Sequence, residues 1–378
     1  MKILILHATA GEGHKKIAEA IAQELSSRPQ VSEVKVVDAL DLASPHLKHS
    51  YPAIYFYAVK LIPHLWGFFY YLLDVPLVYF FVKPFRKLFN RFQSVKLRAF
   101  IKSENPDVIA ATHFYAAEVV AELRKRGEFS GRLITVITDV VPHAFWVNEQ
   151  TDSYWVMSDE SAKNLTQRGV DPRKVTAGGI PVKTIFLQQE NRAELTQKLG
   201  LTPHRLNILF TSGSFGIGPI IEQIRELTNL GGQIQVMVVC GRNKKLYHRL
   251  ANARFTFPVM LMGFVNNMHE LMSVSDLMVA KPGGSTTCES LVKNLPMMIS
   301  AAIPGQETRN ARWLLKNRAA VEFKKKGDLN QVIQKILRDV TMLKTLKENA
   351  ARIARPKAAQ AVSDFIVQLG KVSGGVKS

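Results

Sequence analysis

The sequence predicts an α/β protein of two domains, each a parallel β-sheet covered by helices. Short β-rich apolar runs alternate with helical stretches almost throughout, the pattern that parallel sheets with crossover helices produce. At 378 residues the chain is too long for one small domain and suits two of ordinary size. Hydrophobic residues make up 47% and charged residues 21%, which is enough to bury real cores and too apolar for disorder.

In the first half, strands are expected at residues 3–6, 34–37, 108–111, 133–137 and 153–156. In the second half they are expected at 208–211, 235–239, 259–262, 277–279 and 297–300. The seam lies near Gly178-Gly179-Ile180-Pro181-Val182, with a polar stretch at 188–198 behind it. The first domain is therefore set at 1–185 and the second at 186–355. Arg355-Pro356 opens a last helix, 356–369, with Pro in a favourable first-turn position. Ligands in such sheets sit at the carboxyl ends of the strands, and each polar or glycine motif here follows a strand.

The first motif is Gly11-Glu12-Gly13-His14, between the first strand and a helix expected over 15–25. Gly11 and Gly13 permit a close backbone approach. His14 lies at the helix N-terminus, where the dipole disfavours imidazolium. A neutral imidazole suits a general base near pH 7, although the same His could simply cap the helix. Thr138-Asp139 follows strand 133–137, with Pro142, His143 and Trp146 just beyond. Asp139 is either a second base candidate, an orienting partner for His14, or a loop cap. His113 also follows a strand and is a further acceptor-side candidate.

Residues 51–92 break the α/β rhythm and hold nearly half of the chain's 20 Phe, 9 Tyr and 4 Trp, including Trp66, Phe68 and Phe69. Lys83, Arg86, Lys87, Arg91, Lys96, Arg98 and Lys102 follow, with no acidic residue between Asp74 and Glu104. Three readings compete. A transmembrane helix over 61–82 is interrupted by Pro63, His64, Asp74 and Pro76, and an uncompensated mid-bilayer Asp is expensive. A purely structural helical pair would cover the sheet. An interfacial element would place aromatics on one side and Lys and Arg at headgroup level, each cation contributing roughly 1 kcal/mol near an anionic leaflet. The interfacial reading is taken.

The net charge of +19 points to an anionic membrane surface or to nucleic acid. No zinc spacing, aromatic RNA-binding signature or helix-turn-helix pattern supports nucleic acid, and none is expected as a partner. Cys240 and Cys288 are too few for a disulfide framework or a zinc site, which fits a reducing cytosol. No signal peptide is expected, because run 3–6 is only a strand's length and leads straight into the glycine motif.

The second half carries the densest motif: Lys281-Pro282-Gly283-Gly284-Ser285-Thr286-Thr287, then Glu289, then Gln306, Glu307 and Asn310. A strand precedes it and a helix follows. The glycines let the backbone approach a ligand, and the helix start offers free N–H groups and a positive dipole end, which suits a diphosphate. Lys281 either adds positive charge near that place or is simply a solvated lysine. Glu289, one turn in, is a natural acceptor for ribose hydroxyls. Gln306, Glu307 and Asn310 supply the mixed donors and acceptors a hexose needs. The plainer alternative is a tight turn and nothing more. Gly213, Ser214, Phe215 and Gly216 follow strand 208–211 and are placed to face the pyrophosphate.

The stretch from Gly263 to Asn310 resembles the donor half of the glycosyltransferases that make monogalactosyl- and glucosyl-diacylglycerol. These are similar to the peptidoglycan lipid-intermediate N-acetylglucosaminyltransferase. The resemblance runs from Ile3 to about Leu369 and implies the GT-B fold, two Rossmann-like domains facing a central cleft. It implies that the glycine turn holds UDP, that Glu289 holds ribose and that Gln306 and its neighbours read the sugar. Arg242 and Asn243 then lie near the nucleotide, with Phe264 and Val265 where the backbone meets the uracil edge. It gives His14 a role in acceptor activation or binding, and matches Thr138-Asp139 with the following Pro and Trp146.

The implied reaction is an inverting transfer of glucose or galactose from a UDP-sugar to diacylglycerol, on the cytoplasmic face of a membrane, by a peripheral protein. Neither a cofactor nor a metal is expected, since no Asp-x-Asp motif occurs in the donor region. The alternative is transfer of N-acetylglucosamine to a polyprenyl-linked or other lipid. Three departures from the family pattern stand out: Glu12 intervenes before His14, Asn294 replaces a Gly before Leu-Pro, and Arg318 stands where Gly is common. Asn tolerates a left-handed turn, so the second is mild.

Overall fold

The computed structural model describes residues 1–9, 11–211, 213, 218–300 and 302–374. The chain divides into two compact units. Unit 1 comprises residues 1–184, 304–306 and 355–378, and unit 2 comprises 185–303 and 307–354.

Unit 1 runs β1 (Lys2–His7), α1 (Glu12–Leu25), β2 (Glu33–Asp38), α2 (Pro45–Leu61), α3 (Pro63–Leu72), α4 (Pro76–Gln93), α5 (Val95–Glu104), β3 (Val108–Ala111), α6 (Phe114–Lys125), β4 (Arg132–Val136), β5 (Ser153–Val156), α7 (Asp159–Gln167) and β6 (Val175–Ala177). Its sheet is parallel, in the order β2-β1-β3-β4-β5-β6. The central strands are near-continuous apolar runs because helices cover both faces. Leu4, Leu6, Ile109 and Leu133 pack against Val120 and Leu123 of α6 and Leu97 and Ile101 of α5. In α1, Ile17, Ala18, Ile21 and Leu25 recur at helical spacing and form its buried stripe.

Unit 2 runs α8 (Arg192–Lys198), β7 (Leu206–Thr211), α9 (Ile220–Arg225), β8 (Ile234–Val239), α10 (Lys244–Ala251), β9 (Val259–Met262), α11 (Met268–Val274), β10 (Leu277–Ala280), α12 (Gly284–Val292), β11 (Met297–Ile299), α13 (Gln306–Lys316), β12 (Ala320–Glu322), α14 (Asp328–Arg338) and α15 (Val340–Ile353). Its parallel sheet has the order β12-β11-β10-β7-β8-β9. The last helix, α16 (Ala358–Gly374), returns to unit 1. There it packs on α1, and Ser363 Oγ donates to the Ile21 carbonyl at 3.5 Å.

Asn294 and Arg318 both adopt left-handed backbone, with φ of 51° and 54°. The two positions therefore keep the geometry a glycine would supply, and Arg318 carries the larger steric cost.

The aromatic insertion folds as α2, α3 and α4. Pro63 and Pro76 open α3 and α4, each at a first helical position where its missing N–H costs nothing. Among the described residues no single helix is long and apolar enough to cross a membrane. The α3–α4 pair meets length and composition only with a 96° bend between its members. Asp74 sits at that bend and is buried and paired. Its Oδ1 accepts from the Ala144 N–H at 2.7 Å, and Oδ2 accepts from Arg168 Nη2 at 2.8 Å. The straight span over 61–82 is thereby excluded, and the Asp that counted against it serves to pin the turn.

The basic run is also corrected. Arg86 does not face outward. It pairs with Glu118 of α6, donates to Tyr79 Oη at 2.7 Å and lies 4.3 Å over the Phe145 ring. Their side chains are 12% and 2% exposed, so this is an internal ion pair. Lys83 reaches Glu149 at 3.2 Å, while Arg98 and Lys102 share Glu128. Besides Arg91, what α4 presents outward is chiefly apolar: Phe80, Phe81, Phe85 and Phe92 are 64–72% exposed. Phe68 and Phe69 of α3 are exposed as well, whereas Trp66 is half-buried against Tyr55.

Candidate active site

In unit 1 the sheet order reverses between β1 and β3, because β2 lies to one side of β1 and β4–β6 lie beyond β3. Open α/β sheets bind ligands in the crevice at such a switch point. The chain leaving β1 there enters α1, whose first turn carries His14, and the loop leaving β3 carries the Thr112-His113 pair. His14 Nδ1 lies 2.8 Å from the Thr112 carbonyl oxygen and 3.0 Å from Thr138 Oγ1. A carbonyl can only accept, so Nδ1 carries the proton and Nε2 keeps its lone pair. Burial dominates the titration of His14 and pushes it down to about 4, against the pull of the Thr112 bond. The imidazole is anchored and neutral at physiological pH.

His113 is spoken for. Its Nδ1 accepts the Tyr115 N–H at 3.2 Å and so caps α6, while Nε2 faces Tyr51 Oη at 3.5 Å. Burial holds it well below the ordinary histidine value. Its ring packs edge-on against His14, with centroids 4.7 Å apart. It is a wall of the His14 site. Asp139 is buried, and its Oδ2 accepts the Trp146 indole N–H at 2.8 Å. Its Oδ1 accepts from the Gln306 amide, which belongs to unit 1 in this structure. The contacts that orient His14 thus come from Thr112 and Thr138, with Asp139 holding Trp146.

In unit 2 the order reverses between β7 and β10. The loop after β10 turns through Gly283 into α12 with no side-chain cap, which leaves first-turn N–H groups for a ligand. A Cβ at Gly11 or Gly283 would meet nothing within 4 Å, so neither glycine is there to relieve a packing conflict. Glu289 is buried and accepts from Ser285 Oγ at 3.0 Å. Lys281 and Glu307 interact across the turn: burial lowers the lysine and raises the carboxyl, each opposed by the other's charge. The ends of β8 and β9 lie side by side, with the Gly263 Cβ position 3.9 Å from the Gly241 carbonyl. There the Arg242 guanidinium lies 5.4 Å over the exposed Phe264 ring.

Residues 14–182 match the monogalactosyldiacylglycerol (MGDG) synthase family, and residues 207–368 match the glycosyltransferase family 28 C-terminal domain. The chain thus carries an MGDG-synthase domain followed by a glycosyltransferase family 28 C-terminal domain. The processive diacylglycerol β-glucosyltransferase of Bacillus pumilus is 28% identical over 97% of this chain and 94% of its own length. That of Bacillus thuringiensis is 27% identical over 97% and 93%. Acinetobacter baumannii MurG aligns with a TM-score of 0.61 at 15% identity, over 97% of this chain and 99% of that one. Anabaena HepE in complex with UDP-glucose aligns at 0.59 and 15%, over the whole of both chains. The Neisseria meningitidis UDP-GlcNAc 2-epimerase bound to UDP-GlcNAc aligns at 0.62 and 12%, over 97% and 100%. The glycosyltransferase therefore has the GT-B fold.

Several residues of this glycosyltransferase do not sit where their chemistry in the sequence points. Trp146 is buried among Ile137, Tyr154 and Val156, so it braces Asp139 from within the core and offers no surface to an acceptor. Asn310 is fully buried, and its amide donates to the Pro282 carbonyl at 2.8 Å, which fixes the glycine turn. Asn243 caps α10, its Oδ1 accepting the Leu246 N–H at 2.9 Å. Gly213 has φ of 70°, a left-handed turn at the end of β7. Ser214, Phe215 and Gly216 lie outside the described residues. The sequence reading missed Thr112, and it named Ser285 and Glu289 without their bond to each other. Their signals were weak: a Thr just past a buried strand, and Ser and Glu four apart on one helix face.

Proposed function

We propose that this glycosyltransferase moves glucose or galactose from a UDP-sugar to diacylglycerol at a membrane surface, with inversion at the anomeric carbon. The observation that carries this reading is the joining of the aromatic insertion to the base. Tyr51 of α2 packs edge-on against His113, and His113 against His14, so the element with the exposed apolar face adjoins the His14 site within one unit. A lipid hydroxyl lifted from a bilayer by that face would arrive beside Nε2. The names of the Bacillus relatives support diacylglycerol as acceptor and glucose as sugar.

In this mechanism His14 Nε2 removes the proton of the acceptor hydroxyl as its oxygen bonds to the anomeric carbon. The bond from that carbon to the diphosphate oxygen breaks, and UDP leaves with the electron pair. Thr112 and Thr138 hold the ring while charge develops on it. The first-turn N–H groups of α12 stabilise the leaving diphosphate, with Lys281 adding charge nearby, and no metal is assigned a step. Glu289 takes the ribose hydroxyls, and Asn310 keeps the turn in shape. The protein acts as a peripheral one, on the cytoplasmic leaflet.

The test is to offer radiolabelled UDP-glucose, UDP-galactose and UDP-N-acetylglucosamine with diacylglycerol or a polyprenyl phosphate in mixed micelles. Labelled glycosyl-diacylglycerol from one of the two hexoses is expected. Label on the polyprenyl lipid alone would move the assignment to the alternative acceptor. At the donor, Glu289→Ala should weaken UDP binding by roughly tenfold or more, since a charge-assisted hydrogen bond contributes about 1.5–3 kcal/mol. Unchanged UDP affinity by calorimetry, with an unchanged melting temperature, removes Glu289 from the ribose site.

A further inference from the structure

Unit 2 contains a second, open cleft of about 810 Å³, within the range of small-molecule sites. It lies between α9, α13 and the segment after β12. Its floor is apolar, with Pro219, Leu315 and the buried Phe323. The donor residues are on an adjoining face of α13: Glu307 and Asn310 face the glycine turn, whereas Thr308, Ala311, Arg312 and Leu315, at helical spacing, line the cleft. The site is thus separate from the one assigned above.

The charges around the cleft do not cancel. Each of its acids is engaged: Glu322 with Lys324 at 3.1 Å, Glu222 with Arg249 at 3.6 Å, and Glu226 with the Gly327 N–H at 2.9 Å. Lys325 lies in the field of Asp328. Arg225, Arg312 and Lys326 have no ion-pair partner among the described residues. Gln223, only 6% exposed, lines the same cleft, and its side-chain amide has no hydrogen-bond partner among the described residues. That amide is therefore free to bond a polar group of a ligand in the cleft.

We infer that this cleft binds a phosphate-bearing organic ligand, its phosphate held by Arg225, Arg312 and Lys326, its polar body by Gln223, and its apolar part against Phe323. A free phosphate ester and the headgroup of a phospholipid share this chemistry. The occupant would touch α13, the helix that presents Glu307. Binding therefore also changes the KM for the donor. That second effect rests on the donor reading; the binding itself does not.

The experiment is calorimetry on the full-length protein with UDP present in excess, titrating glycerol 3-phosphate, inorganic pyrophosphate and dihexanoyl phosphatidic acid below its micellar concentration. One equivalent of at least one probe should bind. Combined Arg225→Ala, Arg312→Ala and Lys326→Ala should weaken it about tenfold or more, because charge-assisted bonds to phosphate are the strong ones. Gln223→Leu should weaken it by a smaller factor, and the exposed cations can be removed without a change in melting temperature. Binding of the water-soluble probes identifies a free phosphate compound, and binding of the lipid alone identifies a headgroup. No binding by any probe, or undiminished binding in the triple variant of unchanged melting temperature, overturns the inference. If UDP itself fails to bind while a phosphate probe does, the donor reading falls and the cleft stands.

Discussion

His14→Ala lowers turnover by ~10²–10⁴-fold, the usual contribution of a positioned base, and leaves UDP affinity unchanged. The two effects separate because His14 and the residues read as holding UDP belong to different units. The pH profile should carry the same signature. Burial places the folded-state value of His14 at about 4, below its ordinary 6.5, so the ring is neutral and basic at all higher pH. The acid limb of kcat/KM should therefore turn down well below pH 6.5, and it should vanish in the alanine variant. Stability follows the same linkage. The unfolded chain takes up this proton near 6.5 and the folded one only near 4, so the contribution is fully present above 6.5 and is lost as pH falls through that window. If His14→Ala retains turnover and Asp139→Asn abolishes it, the base is Asp139 and the assignment is reversed.

The reason to expect His14 to be the base and Asp139 to be structural is where each proton can go. Asp139 has its two oxygens on the Trp146 indole and the Gln306 amide, both donors, and these bonds stabilise the carboxylate and make it a weaker base. His14 has one nitrogen tied to a carbonyl, which fixes the tautomer and leaves the other as the proton acceptor. This distinction was not legible in the sequence. Both residues follow a strand at the correct end of the sheet, which is why both were found. Neither the Thr112 carbonyl nor the Trp146 ring direction has any trace in residue type.

The fold was legible because parallel strands buried on both faces must be nearly all apolar, and ten such runs can be counted in the chain. β6 and β12 escaped for the complementary reason: each has three residues and lies at a sheet edge, too short for any period to register. The largest error concerned Arg86. A run of cations without acids between Asp74 and Glu104 looks like a headgroup surface. The acids that neutralise it, Glu118, Glu128 and Glu149, come from elements further along the chain. Sequence shows charge density along the chain, whereas pairing depends on what the sheet brings alongside.

That correction changes the membrane prediction from an electrostatic one to a chiefly hydrophobic one. With Lys83, Arg86, Arg98 and Lys102 engaged by acids, the outward cations without an ion-pair partner among the described residues include Lys60, Arg91 and Lys96. Each can contribute roughly 1 kcal/mol near an anionic leaflet, and salt screens that contribution. Burying a phenylalanine side chain contributes about 1.5–3 kcal/mol and is insensitive to salt. Phe80, Phe81, Phe85 and Phe92 together therefore outweigh the three cations.

Vesicle binding should accordingly persist at high salt and prefer anionic over neutral lipid only modestly. Replacing the four phenylalanines by Ser should reduce binding by about 100-fold or more even if each is only partly inserted. The melting temperature should stay in place, because these rings are exposed in the folded protein. Lys60→Gln, Arg91→Gln and Lys96→Gln combined should cost a smaller factor that disappears in high salt. Arg86→Gln is unsuitable for the comparison, since it strands Glu118 in the interior and would lower stability instead. Complete release of the wild-type protein by salt, or undiminished sedimentation of the four-Ser variant with vesicles, would show that the aromatic face does not meet the bilayer.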